Sequence, residues 1–391
     1  MLLALQAELD QRKADGLLRQ RRLLDSPQAE YIVANGQNYL SFCSNDYLGL
    51  ANHPKLIATM QAAAGDSGVG SGASNLITGH HRYHDELEKK LAKFVDLPAA
   101  LVFSTGFMAN IGVLGALVGR GDAIFADKLN HACLNDGGYY SLADFNRFAH
   151  NDVAALEKLL KASTANHKLI AVDAVFSMDG DIAPLSDYLR LCEQYDAYLY
   201  VDDAHGFGVL GQNGKGSLSH YNLGLSKSIS PRIIYMATLG KAAGVAGAFV
   251  AGQQVVIDYL IQTAKSYVYS TPAPPALSAT LAESVNLIEA GDDLRAHLQH
   301  LIAKLKQHLR LKTWQLMPSE TAVQPLVIGS NHAAVGLSEY LQKLGILVPA
   351  IRPPTVPANT ARLRISLSAA HTVEDVIKLA SAINEAEKVM V

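Results

Sequence analysis

A single lysine stands in a long uncharged stretch of this chain. Between Arg232 and Asp258 the only charged side chain is Lys241, set in Ile233-Ile-Tyr-Met-Ala-Thr-Leu-Gly-Lys-Ala-Ala-Gly-Val-Ala-Gly-Ala-Phe-Val-Ala-Gly252. An ammonium taken out of water into such a segment loses hydration, which favours the neutral amine. A neutral lysine amine is the nucleophile of Schiff-base chemistry. The small residues around it leave room for something to come close to the backbone. The same run also suits a lysine that snorkels to solvent from a strand end.

Other residues offer matching chemistry. Asp202 and His205 lie three apart in Val201-Asp-Asp-Ala-His-Gly. A carboxylate there is able to keep a pyridine nitrogen protonated, and an imidazole is able to bond a ring hydroxyl. A structural Asp–His pair reads the same way. No further His or Cys stands at metal spacing, so no metal is expected. Ser104-Thr105-Gly106-Phe107 opens a helical run from Met108 to Gly119. Free N–H groups and hydroxyls at a helix start favour a phosphate, although a plain N-cap uses the same residues. His131 is either structural or a ring that stacks on a planar ligand. Arg352-Pro-Pro-Thr355 and Arg362-Leu-Arg364 set guanidinium groups beside rigid loops. Such groups bind a carboxylate bidentately, or close a surface salt bridge.

The elements that must position these residues alternate. Apolar strand-like runs occur at Ala100–Phe103, Ala123–Ala126, Leu169–Ala174, Ala197–Val201, Ile233–Ala237 and Ala248–Ala251, most of them separated by helical or loop segments. Continuous apolar strands with crossovers predict a mainly parallel sheet in an α/β domain. The last two runs are too close for a crossover, so the last is expected to be antiparallel. In such a sheet ligands sit beyond the carboxyl ends of the strands. Five exits carry candidates: Ser104–Phe107, Asp127–His131, Phe176–Asp181, Asp202–Gly206 and Thr238–Lys241. Upstream, residues 2–24 read as an amphipathic helix. Tyr31–Val33 and Tyr39–Phe42 read as a strand pair turned at Asn35-Gly36, residues 65–79 as a glycine-rich loop, and His84–Phe94 as an exposed helix. Downstream come helices near 276–290 and 292–311, a second α/β unit, and a final helix capped by Thr372.

Composition bounds the rest. At 391 residues, 49% hydrophobic, the chain is long enough for two domains. A net charge of −3 gives no reason to expect nucleic acid or an anionic membrane. No apolar run reaches the roughly 20 residues of a membrane helix. Cys43, Cys133 and Cys192 form neither a disulfide framework nor a zinc pattern, so reduced thiols in a cytoplasmic protein are expected. The N-terminus lacks the pattern of a signal peptide. Gly68-Val-Gly-Ser-Gly-Ala is not a dinucleotide fingerprint, and no P-loop occurs.

Taken together, Val201-Asp-Asp-Ala-His-Gly-Phe-Gly-Val-Leu-Gly and Thr238-Leu-Gly-Lys-Ala-Ala-Gly-Val-Ala-Gly-Ala resemble the α-oxoamine synthases. So do Ser44-Asn-Asp-Tyr-Leu-Gly-Leu, Phe103-Ser-Thr-Gly-Phe, Asn130-His131, Val175-Phe-Ser-Met-Asp-Gly-Asp and Tyr269-Ser-Thr. The resemblance implies an enzyme of fold type I, the aspartate-aminotransferase-like pyridoxal-phosphate transferases. It implies a small-domain segment at 1–43, a large cofactor-binding domain at 44–280 and a C-terminal small domain at 281–391. Ala350-Ile-Arg-Pro-Pro-Thr-Val-Pro-Ala, Ala361-Arg-Leu-Arg and Arg147-Phe-Ala-His-Asn-Asp are similar to one branch in particular. That branch serves biotin synthesis and joins L-alanine to a pimeloyl thioester, on coenzyme A or an acyl-carrier protein, with loss of CO2. Glycine-using sisters, 2-amino-3-ketobutyrate ligase and 5-aminolevulinate synthase, are the neighbouring alternatives; a non-catalytic pyridoxal-phosphate-binding protein is another.

Roles follow from the resemblance residue by residue. Lys241 would carry the cofactor covalently, Asp202 would pair with the pyridine nitrogen, and His205 and Ser177 would lie at the ring hydroxyl. His131 would stack on the ring. Ser104, Gly106, Phe107 and Thr238 would hold the phosphate, with Ser270 and Thr271 supplied across a homodimer. Arg352 and Thr355 would bind substrate, the guanidinium taking its carboxylate, with Asn45 and Arg19 near the acyl channel. Asp173 stands where related synthases carry glutamate, and Leu239 replaces a common Phe or Ser.

Overall fold

The computed structural model describes residues 1–19, 21–223 and 229–391. Helix α1 (Leu2–Ala14) is shorter than the expected 2–24, a span that includes Gln20 outside the described residues. It ends where Gly16 takes a φ of +65°. Its leucines do not form a buried stripe: Leu2, Leu5 and Leu9 are all exposed. β1 (Tyr31–Ala34) and β2 (Gln37–Ser41) form the expected hairpin. Its turn residues Asn35 and Gly36 both have positive φ, the geometry that matches strand twist.

Two compact units make up the chain. The larger comprises Leu50–Ser177 and Ile182–Arg295; the smaller comprises Met1–Gly49, Met178–Asp181 and Ala296–Val391. The large unit begins with α2 (Pro54–Ser67) and α3 (Arg82–Phe94). α2 runs through Gly65 and stops at Gly68, so only part of the expected 65–79 loop is loop, and Asn75–Gly79 winds into a single wide turn. α3 is not simply exposed; Leu87, Leu91 and Phe94 form a buried face at helical spacing.

A seven-stranded sheet follows: β3 (Ala99–Phe103), β4 (Ala123–Asp127), β5 (Asp144–Phe148), β6 (Lys168–Asp173), β7 (Ala197–Asp202), β8 (Ile233–Thr238) and β9 (Ala248–Gly252). Their spatial order is β3-β9-β8-β7-β6-β4-β5. β9 runs antiparallel to both its neighbours, and the other pairings are parallel. Strands such as β4 and β9 are buried at every residue, as crossover helices on both faces require. The strand that the sequence did not announce is β5. Its Asp144, Asn146 and Arg147 break the apolar run, and an edge strand with one partner tolerates this. α4 (Gly106–Leu117) and α5 (Ala132–Ser141) start just past β3 and β4. Leu101, Val113, Leu114, Ile124, Leu134 and Val250 join one apolar core beneath them.

The helix Pro275–Glu289 belongs wholly to the large unit, so the expected boundary at 280/281 falls inside it. Its buried Ser278, Leu281, Val285 and Ile288 give it a full packing face, and its Thr280 meets Met60 of α2. The chain crosses between units at Arg295/Ala296 and, upstream, at Gly49/Leu50 rather than at 43/44. The excursion Met178–Asp181 was not anticipated; Gly180 accepts hydrogen bonds from Ser319 Oγ (2.8 Å) and Thr321 Oγ1 (3.0 Å) within the smaller unit.

That unit completes the strand set with β10 (Gln315–Leu316), β11 (Val323–Gly329), β12 (Ile346–Leu347), β13 (Ala350–Ile351) and β14 (Ala361–Ser366). β12 lies parallel to β2, which ties the two chain ends together. β10-β11-β14-β13 form an antiparallel sheet. The final helix, Val373–Met390, opens with a capping box between Thr372 and Asp375. The three cysteines are free thiols. Among the described residues no helix is long and apolar enough to cross a membrane.

Candidate active site

Only β9 of the seven strands is reversed, so the carboxyl ends of β3, β4, β5, β6, β7 and β8 share one edge of the sheet. Ser104, Asp127, Asp173, Asp202 and Thr238 end or follow those strands. Five chain segments distant in sequence therefore deliver polar groups to one line, where ligands of open α/β sheets bind.

Lys241 sits in the tight connection from β8 to β9. Leu239 N–H donates to Gly247 O (2.8 Å), and Gly244 N–H donates to Lys241 O (2.8 Å). The lysine Nζ lies 2.8 Å from His205 Nε2, at the exit of β7. That contact ties the amine to a neighbouring strand end. One small residue beside it serves the protein's own packing. Gly244 has φ +71°, and a Cβ there would fall 2.7 Å from the Leu50–Ala51 backbone. Gly240 is different: a Cβ there would meet nothing closer than 3.8 Å. Thr238 Oγ1 donates to Gly247 O (3.0 Å) and faces Gly106, whose missing Cβ would lie 3.9 Å from it. The first turn of α4 and the end of β8 thus lie side by side. Thr105 caps α4 by accepting from Met108 N–H (3.1 Å). Phe107, in the same turn, is about half exposed.

Asp202 is buried on β7, yet its oxygens are satisfied. Asn110 Nδ2 donates to Oδ2 (2.7 Å), and Ala204 N–H donates to Oδ1 (3.0 Å). Burial pushes this carboxyl above its ordinary range, while Asn110 and the Lys241 charge pull it back. Asp173, the neighbour on β6, is raised more strongly, by burial and then by the Asp202 charge. His131 caps α5; its backbone N–H donates to Asp173 Oδ2 (2.5 Å). Burial lowers the His131 imidazole below its usual value, and the Lys241 charge acts in the same sense.

Sequence reasoning missed the groups that join these residues. Asn110, fully buried on α4, also donates to Cys133 Sγ (2.9 Å) and accepts from Tyr200 O–H (2.7 Å). Cys133 Sγ in turn lies 2.8 Å from His131 Nδ1. A lone asparagine in the apolar helix Met108-Ala-Asn-Ile-Gly-Val was the available signal, because a buried amide in such a setting must find partners.

Ser104, Ser270 and Thr271 line one small cavity with His84 and Glu88. Ser177 lies on the loop after β6, at the end of a large-unit segment. The remaining expected residues belong to the smaller unit. Arg19 Nη2 donates to Thr355 Oγ1 (3.3 Å), and Arg352 donates to Gly16 O. With Leu17, Ile351 and Pro353 they line an open cleft of about 400 Å³. Asn45 accepts from the buried Arg364 (3.0 Å), a guanidinium that also donates to Ser366 Oγ (2.9 Å). Arg362, by contrast, is buried and engaged by Asp179 in an ion pair.

The sequence over residues 37–383 matches the family model of class I and II aminotransferases. The chain is 57% identical over 388 residues to an 8-amino-7-oxononanoate synthase of Methylobacillus flagellatus, covering 99% of this chain and 97% of that one. A protein of the same name from Nitrosospira multiformis is 57% identical over 374 residues, covering 96% and 93%. Among solved structures, a serine palmitoyltransferase of Sphingomonas wittichii superposes with a TM-score of 0.92 at 30% identity, over 99% of this chain and 97% of that one. The 8-amino-7-oxononanoate synthase of Francisella tularensis gives 0.75 at 29% identity, over 90% and 98%. Matches that span both chains almost end to end, on a sheet whose single reversed strand leaves six carboxyl ends on one edge, place the chain in the class I and II aminotransferase family, among the 8-amino-7-oxononanoate synthases.

Proposed function

We propose that the chain catalyses the decarboxylative condensation of L-alanine with a pimeloyl thioester, giving 8-amino-7-oxononanoate, CO2 and the free thiol, with pyridoxal phosphate as cofactor. The observation that carries this reading is the 2.8 Å contact of Lys241 Nζ with His205 Nε2, on the strand edge that also bears the buried Asp202. The donor set fits the cofactor: a lysine amine, an anion-accepting helix start at Gly106 beside the Thr238 hydroxyl, and a carboxylate turned by Asn110 and Ala204. When bound, pyridoxal phosphate supplies an electron-accepting ring that acidifies an amino-acid Cα–H and eases loss of a carboxylate as CO2.

The chain's residues do the rest. Lys241 anchors the cofactor, then takes the proton from the alanine Cα and returns one after CO2 has left. His205 holds the amine in reach and bonds the ring hydroxyl together with Ser177. Asp202 stays anionic to hold a proton at the ring nitrogen. His131 covers the ring face. Ser104, Gly106, Phe107 and Thr238 grip the phosphate, and Ser270 and Thr271 do so across a homodimer. A Cα–C bond forms to the acyl carbon as its C–S bond breaks, the leaving thiolate takes a proton from solvent to give the free thiol, and the alanine carboxylate leaves as CO2. Arg352 and Arg19, with Thr355 and Asn45, receive the acyl donor; two guanidinium groups beside Leu17 and Ile351 suit an aliphatic chain that ends in a carboxylate. The same reading takes a homodimer in the cytoplasm, with coenzyme A or an acyl-carrier protein as the thiol.

The test is thiol release. Alanine with pimeloyl-CoA should turn over, whereas glycine with acetyl- or succinyl-CoA should not. Preference for a glycine pair would overturn the substrate assignment. Normal turnover by Lys241→Ala would overturn the mechanism.

A further inference from the structure

Asn110 is the hub of a buried polar chain, and the catalytic scheme above uses only its bond to Asp202, not its Cys133 and His131 arm. Its amide has one acceptor and two donor hydrogens. The acceptor Oδ1 takes Tyr200 O–H at 2.7 Å; the donors go to Asp202 Oδ2 at 2.7 Å and Cys133 Sγ at 2.9 Å. The flipped amide would set an oxygen against the carboxylate, so the direction of the three bonds at Asn110 is determined. Cys133 Sγ accepts from Asn110 and stands 2.8 Å from His131 Nδ1. An unprotonated Nδ1 would take the thiol's own hydrogen. Cys133 backbone N–H also donates to Nδ1, at 3.3 Å, so that nitrogen is an acceptor. The proton of a neutral His131 must then sit on Nε2.

We propose that Asn110 and Cys133 are positioning residues. Asn110 holds Asp202 as an acceptor, and the Cys133 thiol, oriented by Asn110, fixes His131 as the Nε2–H tautomer. One amide on α4 thus sets the protonation pattern of two groups on different elements, the carboxylate at the end of β7 and the imidazole at the start of α5. Burial agrees with a thiol role, since it pushes Cys133 up to about 12 and keeps its hydrogen in place at working pH. What the Nε2–H faces rests on the proposed function; the network does not, because every atom in it belongs to the chain.

The test uses the full chain labelled with 15N-histidine, without added pyridoxal phosphate. Ring-nitrogen chemical shifts report the tautomer, and the His131 signals are those that His131→Phe removes. The wild type should show Nδ1 unprotonated and Nε2 protonated. Cys133→Ser keeps a hydroxyl donor and should keep that pattern. Cys133→Ala leaves only the longer backbone N–H. Its Nδ1 signal should shift towards that of an unbonded nitrogen, and the imidazole should titrate up to about one pH unit higher, the roughly tenfold effect of one hydrogen bond to the neutral form. A protonated Nδ1 in the wild type would overturn the inference, as would a Cys133→Ala protein whose shifts and titration match the wild type. A Cys133→Ser protein that behaves like Cys133→Ala would remove the hydrogen bond as the cause. If these results hold while Lys241→Ala keeps full turnover, the positioning network stands and the proposed function falls; the opposite combination separates them the other way.

Discussion

Replacing Asp202 with asparagine alters one charge and one hydrogen-bond sense in a buried site. In the native protein both carboxylate oxygens accept, from Asn110 Nδ2 at 2.7 Å and from Ala204 N–H at 3.0 Å. An asparagine offers a single acceptor, so one of those donors must face an NH2 group. A buried donor left unmet costs about 1–3 kcal/mol, and denaturant unfolding should show a loss of that size. The functional loss has a separate source. A carboxylate that holds a protonated ring nitrogen makes a hydrogen bond to a charged group, worth about 1.5–3 kcal/mol, and its removal corresponds to a fall in turnover of roughly 10- to 150-fold. Thiol release with alanine and pimeloyl-CoA measures this, with bound pyridoxal phosphate quantified in the same samples by its absorbance. Asn110→Leu should lower turnover by a smaller factor. Combined with Asp202→Asn it should add little, because the amide acts largely through the carboxylate it supports. Turnover within twofold of wild type in an Asp202→Asn protein that binds cofactor fully would refute the role of Asp202.

Three further outcomes are expected. Arg352→Ala should raise KM for the pimeloyl thioester by roughly 10- to 150-fold, the worth of a charge-assisted hydrogen bond, and leave KM for alanine within twofold; equal effects on both would contradict the acyl-chain assignment. Glu88, pushed up to about 7 by burial from an ordinary 4.5, binds its proton more tightly folded than unfolded, so stability falls as pH rises between those values. Glu88→Gln keeps an acceptor for Val102 N–H; it should match wild type below about pH 4.5 and exceed it by about 3 kcal/mol at pH 8 in urea unfolding. Gly244→Ala forces a Cβ onto the Leu50–Ala51 backbone at a φ of +71° and should cost about 2–5 kcal/mol in stability, read as a lower Tm; an unchanged Tm would show that this turn yields easily.

Most of the candidate site was legible because the sheet delivers it. Each apolar run expected as a strand is one, and the residue types just past Phe103, Ala126, Ala174, Val201 and Ala237 were enough to nominate Ser104, His131, Ser177, Asp202 and Lys241. β5 was hidden because Asp144 and Arg147 on an edge strand need not be apolar. The N-terminal leucines misled for the opposite reason: periodicity predicts a face, but nothing obliges a neighbour to cover it, and Leu2, Leu5 and Leu9 remain exposed. The domain boundary at 280/281 failed because a proline-rich stretch marks a helix start as readily as a linker; Pro275 is the first residue of a helix that packs within the large unit. Asn110, Cys133 and Tyr200 went unseen because their partners are 23 and 90 residues away from Asn110, and no local pattern encodes a pairing across crossovers.

The reversed strand explains why Lys241 lies where it does. A parallel successor to β8 would need a crossover of a dozen residues or more before returning to the sheet. With β9 antiparallel, the chain turns back within nine residues, from Leu239 to Gly247, and that turn hangs over the edge where the other strands end. The amine is therefore carried on a short connection closed across its ends by Leu239 N–H to Gly247 O and braced within by Gly244 N–H to Lys241 O. β9 ends at Gly252 on the far edge, and the residues after it, Gln253 and Gln254, carry none of the expected chemistry. The small residues of the opening run thus divide by task. Gly244 lets the turn close against Leu50 and Ala51, while a Cβ at Gly240 or at Gly106 would meet nothing closer than 3.8 Å, and in both cases Thr238 is its neighbour. A larger residue at Gly240 should spare the fold and crowd the Thr238 hydroxyl, which the proposed function places at the phosphate. Gly240→Val is expected to keep Tm within about 1 °C for each few tenths of a kcal/mol of surface effect, and to weaken pyridoxal phosphate binding at least tenfold, about 1.4 kcal/mol. Unaltered cofactor affinity in that variant would show that the phosphate end of the cofactor does not lie beside Gly240 and Thr238.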